Sequence, residues 1–145
     1  MPASARSAVR YGNVTFRLVT FIHRIVAYGI PAGFLLLALS TAVGLIRNKA
    51  PGEWFWTLVG ILQVVLGLQV IVGGVLYLIG ERPSTSGPEW LHYVYGGLFP
   101  AALLVLAHRM GKRFEGIPWV VFGIIGFVNF GLTFRALQTG LRWFE

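Results

Sequence analysis

Four long apolar runs decide most of what this chain can fold into. Ile25–Ile46, Trp54–Gly80, Trp90–Ala107 and Ile117–Phe134 contain no Asp, Glu, Lys or Arg. Each is close to the 17–25 residues or so that a helix needs to cross about 30 Å of hydrocarbon. None alternates apolar and polar residues with period two, so strands of a membrane barrel are excluded. A hydrophobic content of 56% in 145 residues is more than a soluble domain of this size can hide. The expected fold is all-α, an integral membrane four-helix bundle running up-down-up-down as one domain over residues 1–145. Its spans are expected at about 18–46, 54–80, 89–108 and 117–137.

The connections "RNKAPGE", "ERPSTSGPE" and "HRMGKRFEG" are short, so consecutive spans run antiparallel and the first and third are parallel. In the middle connection Ser86 is placed to cap the third helix, with Pro88 and Glu89 in its first turn. The opening "MPASARSAVRYGNVTFR" lacks the short apolar core and cleavage site of a secretory signal. It reads as a short tail or a helix lying along the interface. Pro31 and Pro100 lie inside spans and are expected to kink them. Most of the glycines within the spans (Gly29, Gly33, Gly60, Gly67, Gly73, Gly74, Gly96, Gly97, Gly123, Gly126) are expected to permit close helix packing. Trp54, Trp56, Trp90, Trp119 and Trp143 near the span ends read as an interfacial belt.

The net charge of +7 sits at the membrane boundaries, so nucleic acid is not an expected partner. Arg47 and Lys49 in the first connection, and Arg109, Lys112 and Arg113 in the third, form the denser positive side. Arg6, Arg10, Arg17, Arg24, Arg82, Arg135 and Arg142 are spread over the other side, Arg24 and Arg135 within helices. The positive-inside rule therefore places both termini outside, in a membrane expected to be a bacterial cytoplasmic membrane.

Function is carried by few residues. The chain has no cysteine, which excludes disulfides, iron–sulfur clusters, covalently attached c-type haem and thiol catalysis. Its five acids (Glu53, Glu81, Glu89, Glu115, Glu145) fall in connections, at span edges or at the terminus. A proton pump or a transporter built on a buried acid is therefore not expected. Of the three histidines, His23 and His92 stand near the start of the parallel first and third spans, at similar depth on one side. Two neutral imidazoles facing each other across a bundle can serve as the axial ligands of a haem iron. Ala27 and Gly96, each four residues further on, are small residues on the same helix faces and leave clearance for a ring. Arg24, Arg17 and Arg82 lie on the same side and could meet the charge of propionates. Each histidine could instead hydrogen-bond at headgroup level, and Arg24 could snorkel.

His108 lies about 24 Å from His92 along the third helix and has no histidine on its side to pair with. It reads as interfacial. Gln63, Gln69 and Asn129 are expected to hydrogen-bond across helices. A short repeat, "WTLVGI" at 56–61 and "WVVFGI" at 119–124, makes the two halves similar and His23 and His92 equivalent.

The segments "HRIVAYG" (23–29), "ILQVVLGLQVIVGGVL" (61–76) and "LHYVYGGLFPAALLVL" (91–106) resemble one half of the haem A synthase family. The resemblance covers about three of the four spans and implies one b-type haem (heme b) per chain, ligated by His23 and His92 near the outer face. Members of that family have eight spans, and a glutamate three residues before the first of these histidines, where this chain has Thr20. An outer-loop cysteine pair common among them is also missing. The expectation is a haem-carrying electron-transfer module that is not an enzyme, working with other membrane subunits and a quinone or redox protein. The alternatives are a cofactor-free structural subunit and a bacteriochlorophyll-binding subunit.

The orientation is open to a direct check, since the cysteine-free chain accepts single cysteines. Lys49→Cys should resist a membrane-impermeant maleimide in intact cells while Ser86→Cys is labelled. The opposite pattern would reverse the topology.

Overall fold

A computed structural model describes residues 3–83, 88–114 and 116–141, with side chains from 17 to 140. The described chain is four helices. These are α1 (Ala3–Ile46), α2 (Glu53–Leu78), α3 (Trp90–Arg113) and α4 (Pro118–Leu141). All four contain a stretch long and apolar enough to cross a membrane, in α1 the segment Arg17–Ile46. They form an up-down-up-down bundle in which α1 packs on α2 and α4, and α3 packs on the same two helices. Thus α1 and α3 face each other across the diagonal.

The boundaries differ from the sequence expectation in three places. The segment ahead of the first span is continuous with α1 and does not form a separate interfacial helix. The third helix runs past residue 108 to Arg113, because Lys112 and Arg113 can leave the hydrocarbon without breaking a helix. In the last turn they also complement the negative end of the helix dipole. The fourth helix likewise continues through Arg135 to Leu141. Ser86 lies outside the described residues. Helical hydrogen bonding nevertheless starts at Pro88 and Glu89, whose carbonyls accept from Leu91 and His92 at 3.1 Å.

Two helix ends are closed by the same device. Gly80 adopts φ +92°, and the amides of Gly80 and Glu81 return to the carbonyls of Tyr77 (3.1 Å) and Leu76 (2.9 Å). This double closure needs a left-handed residue just after the helix, where glycine pays no steric penalty. At the end of α1 Asn48 does the same at φ 51°, with Asn48 and Lys49 bonding back to Leu45 and Gly44. Asparagine is the side chain that best tolerates this region.

The prolines act differently from each other. α1 stays α-helical through Pro31, whereas α3 widens into a π-helical turn over Val94–Leu98, just before Pro100. A proline ring crowds the carbonyl four residues back and offers it no N–H. For Pro100 that carbonyl is Gly96, inside the wide turn. The extra residue also rotates everything that follows. The sequence register pairing His23 with His92 matches "PAGFLLLA" (31–38) to "PAALLVLA" (100–107), and so Phe34 to Leu103. In the structure Phe34 and Leu37 are buried on α1, but on α3 it is Leu104 and Ala107, each one residue later.

Core packing is concentrated at one end. Phe34 and Leu37 of α1, Phe55, Val59 and Leu62 of α2, Leu104 and Ala107 of α3, and Val121, Phe122 and Ile125 of α4 form one cluster near the first and third connections. Gly123 and Gly126 let α4 approach Thr41, Leu37 and the Phe34 carbonyl, and Gly33 abuts Leu62. Gly29, Gly60, Gly67 and Gly74 have no such neighbour, so close packing explains only part of the glycine content. Phe34→Ala should lower stability by about 3–5 kcal/mol through the cavity it opens. Leu36→Ala, on a side chain 48% exposed, should change it by no more than about 0.5 kcal/mol. Equilibrium unfolding in mixed micelles separates the two.

Candidate functional site

The other end of the bundle is hollow. A cavity of about 420 Å³ lies between the four helices on the side of the second connection. That is within the roughly 300–1,000 Å³ of cofactor and ligand sites. Alongside Ile30, Val70, Leu76, Leu98 and Leu137, its walls include small residues from every helix: Ala27 of α1, Gly73 and Gly74 of α2, Gly96 and Gly97 of α3, and Ala136 and Gly140 of α4. Larger chains at these positions would fill the space, as Phe34 and Phe55 do at the packed end.

Both candidate histidines line this cavity, from opposite corners of the bundle. The His92 ring is fixed by α4. Its Nδ1 lies 3.0 Å from the Ala136 carbonyl oxygen, and a carbonyl can only accept, so Nδ1 carries the proton and Nε2 keeps its lone pair. The Cε1 edge of the ring lies against Gly140, where an added Cβ would come to 2.9 Å. The His23 ring lies against α2, with Cε1 3.3 Å from the place of a Gly73 Cβ. Gln69 donates to the His23 main-chain carbonyl at 2.7 Å. The His23 Nδ1 is shielded from solvent and has no hydrogen-bond partner.

The two arrangements are related by the internal repeat. In the register that matches Ile61 with Ile124, Gly73 corresponds to Ala136. Each imidazole therefore meets an equivalent small residue on the helix that follows it. On the histidine-bearing helices the repeat extends from His23, Ala27 and Pro31 to His92, Gly96 and Pro100. This His-to-Pro spacing could have shown from sequence that the two segments correspond over most of a span. Thr133 and Leu137 lie within the expected fourth span but carry no sequence signal that sets them apart, and Gly140 lies beyond its expected end at 137; all three line the cavity.

The arginines differ in availability. Arg24 lines the cavity and is exposed, and no hydrogen bond or ion pair engages it among the described residues. Arg82 also lines it, but its guanidinium already donates to the Tyr77 and Glu81 carbonyls at 2.6 and 3.2 Å. It also pairs with Glu89 at 3.5 Å and stacks on the Tyr77 ring. Arg17 is exposed and does not line the cavity. Thr20 does, so the position where the haem A synthase pattern has glutamate faces the same space with a hydroxyl.

Two further polar side chains of the spans, Gln63 and Asn129, tie helices together. Gln63 lies 3.3 Å from His108 Nε2, and His108 Nδ1 is 2.9 Å from the Leu104 carbonyl. Asn129, fully buried, donates to the Pro100 carbonyl at 3.2 Å. Its own Oδ1 has no partner. Among the described residues no three metal-ligating side chains come together. A metal held wholly by protein ligands thus has no site there, whereas one that brings its own equatorial ring requires only two axial donors.

Against protein-family models, curated proteins and solved structures the chain finds no match. Fold and site together define a membrane-spanning four-helix bundle with a histidine-lined cavity at one end.

The hydrogen bonds specify tautomers. His92 and His108 should both appear as Nδ1–H imidazoles in nitrogen-15 histidine spectra at neutral pH, because each Nδ1 faces a carbonyl. An Nε2–H signal from His92 would contradict the geometry.

Proposed function

We propose that the chain is a small membrane cytochrome holding one b-type haem between α1 and α3, used for electron transfer. The observation that carries this reading is that His23 and His92, from diagonal helices, line one cavity walled in part by glycine and alanine. Such walls pass a flat ring, and the lone pair on His92 Nε2 supplies an axial donor whose other nitrogen is already satisfied. Bound there, the haem would supply one-electron chemistry. The protein's part is to orient the imidazoles, exclude water and meet the propionate charge. Arg24 is the available cation for that task, and Arg82 is largely committed to Glu89 and the α2 carbonyls. The resemblance to haem A synthase supports the same ligands, while Thr20 and the absence of cysteine argue for carrying haem rather than modifying it.

The setting that fits this reading is a bacterial cytoplasmic membrane with both termini outside. The redox partners would be a quinone or a redox protein, and other membrane subunits would cover part of the apolar surface.

A pyridine haemochrome assay on the purified chain should give one b-type haem per polypeptide, with none in the double variant His23→Ala/His92→Ala. Arg24→Gln should weaken haem binding about tenfold, the effect of losing one charge-assisted hydrogen bond, and Arg82→Gln should weaken it less. Protein purified colourless from haem-replete cells would leave a structural subunit as the reading. Near-infrared absorbance with one pigment on each histidine would mean bacteriochlorophyll.

A further inference from the structure

The two imidazoles are held differently, and the difference has a chemical consequence. On α4 the Ala136 carbonyl takes the His92 Nδ1 proton at 3.0 Å, which orients the ring and raises the donor strength of Nε2. Gly140 closes against the Nδ1–Cε1 edge of the same ring. His23 has no counterpart to this bond. Gln69 of α2 donates to its main-chain carbonyl, and among the described residues its enclosed Nδ1 has no partner. If His23 coordinates through Nε2, its Nδ1–H has no acceptor, and an unmade hydrogen bond away from water is unfavourable. If it coordinates through Nδ1, the donor gains no strength from a hydrogen bond on its far side. Either way His23 is the weaker of the two axial donors.

We infer that His92 is the anchoring ligand and His23 an exchangeable one, so that the cavity accepts a small neutral π-acceptor molecule on the His23 side. This rests on the haem reading above. The exchange is a simple ligand substitution. With haem bound, His23 would give up its bond to ferrous iron, the incoming diatomic would donate a lone pair in its place, and no electron or proton would be transferred. The cavity leaves room for it, since Ala27 and Gly74 line it and a Cβ added at Gly74 would meet nothing within 4 Å.

Carbon monoxide and three variants test the inference, on protein whose helicity and haem content are measured first. Dithionite-reduced wild-type protein should bind carbon monoxide. His23→Ala should keep its haem as a five-coordinate, high-spin species that binds carbon monoxide faster than wild type. His92→Ala should retain at least about tenfold less haem, the scale on which ligand-shell losses act. Should His92→Ala fail to fold, Gly140→Ala serves instead. Its new Cβ would meet the His92 ring at 2.9 Å and should loosen haem more than Gly73→Ala, where the contact with His23 is 3.3 Å. Equal loss of haem from the two histidine variants would overturn the inference, as would a haem-replete ferrous wild type inert to carbon monoxide. Wild-type protein with no haem in the pyridine assay would overturn the haem reading itself, a result distinguishable because it precedes any comparison of variants.

Discussion

Close packing at one end of the bundle permits a cavity at the other. Phe34 and Phe55 are completely buried, and with Leu37, Leu62, Leu104 and Phe122 they lock all four helices near the first and third connections. Within a bilayer the helices gain little from burying apolar surface, since lipid is equally apolar, so dense van der Waals contact is what holds them. Once that end is fixed, the helices can carry glycine and alanine at the other end without collapsing onto each other. The hollow is then lined by glycine and alanine together with apolar chains such as Ile30, Val70, Leu76 and Leu137, and the polar groups His23, Arg24, Gln69 and His92 enter among them.

Those groups obey the second demand of a hydrocarbon medium, that polar atoms find partners inside the protein. Gln63 meets His108, Gln69 meets the His23 carbonyl, Asn129 meets the Pro100 carbonyl and His92 meets the Ala136 carbonyl. Each bond joins different helices, so the same contacts that satisfy polar atoms also set helix positions. Two atoms stand outside the scheme, His23 Nδ1 and Asn129 Oδ1. The first belongs to a histidine that lines the cavity, and among the described residues it has no counterpart to the bond between His92 and Ala136. At the mouth, Arg82 is drawn into a contact with Glu89 and Tyr77 that fastens the end of α2 to the start of α3. Of the two described arginines that line the cavity, Arg24 is the one with no hydrogen bond or ion pair among the described residues.

The spans, their antiparallel order and the pairing of His23 with His92 were legible in the sequence because charge-free runs and short connections leave little choice. The roles of Gln63, Gln69 and Asn129 as cross-helix bonds were legible for the same reason, as amides in hydrocarbon must find partners. Less legible were the ends of α3 and α4. Basic residues mark where a helix leaves the membrane, not where it stops, and so Arg113 and Leu141 came later than expected. The contacts of Arg82 with the Tyr77 and Glu81 carbonyls and the Tyr77 ring were not legible, because the turn at Gly80 brings these groups to it.

By itself the sequence determined a four-span bundle with two histidines at one depth and small residues one turn beyond each. These follow from hydropathy, loop length and helical period, all of which act locally along the chain. Only the tertiary structure decided that α1 and α3 oppose each other diagonally, that a π turn rotates the rest of α3 by one residue, and that the His92 Nδ1 is hydrogen-bonded while the His23 Nδ1 has no partner among the described residues. Those outcomes depend on which faces meet across helices, and a carbonyl such as that of Ala136 carries no signature in the sequence. Its part in the site comes wholly from where α4 is packed.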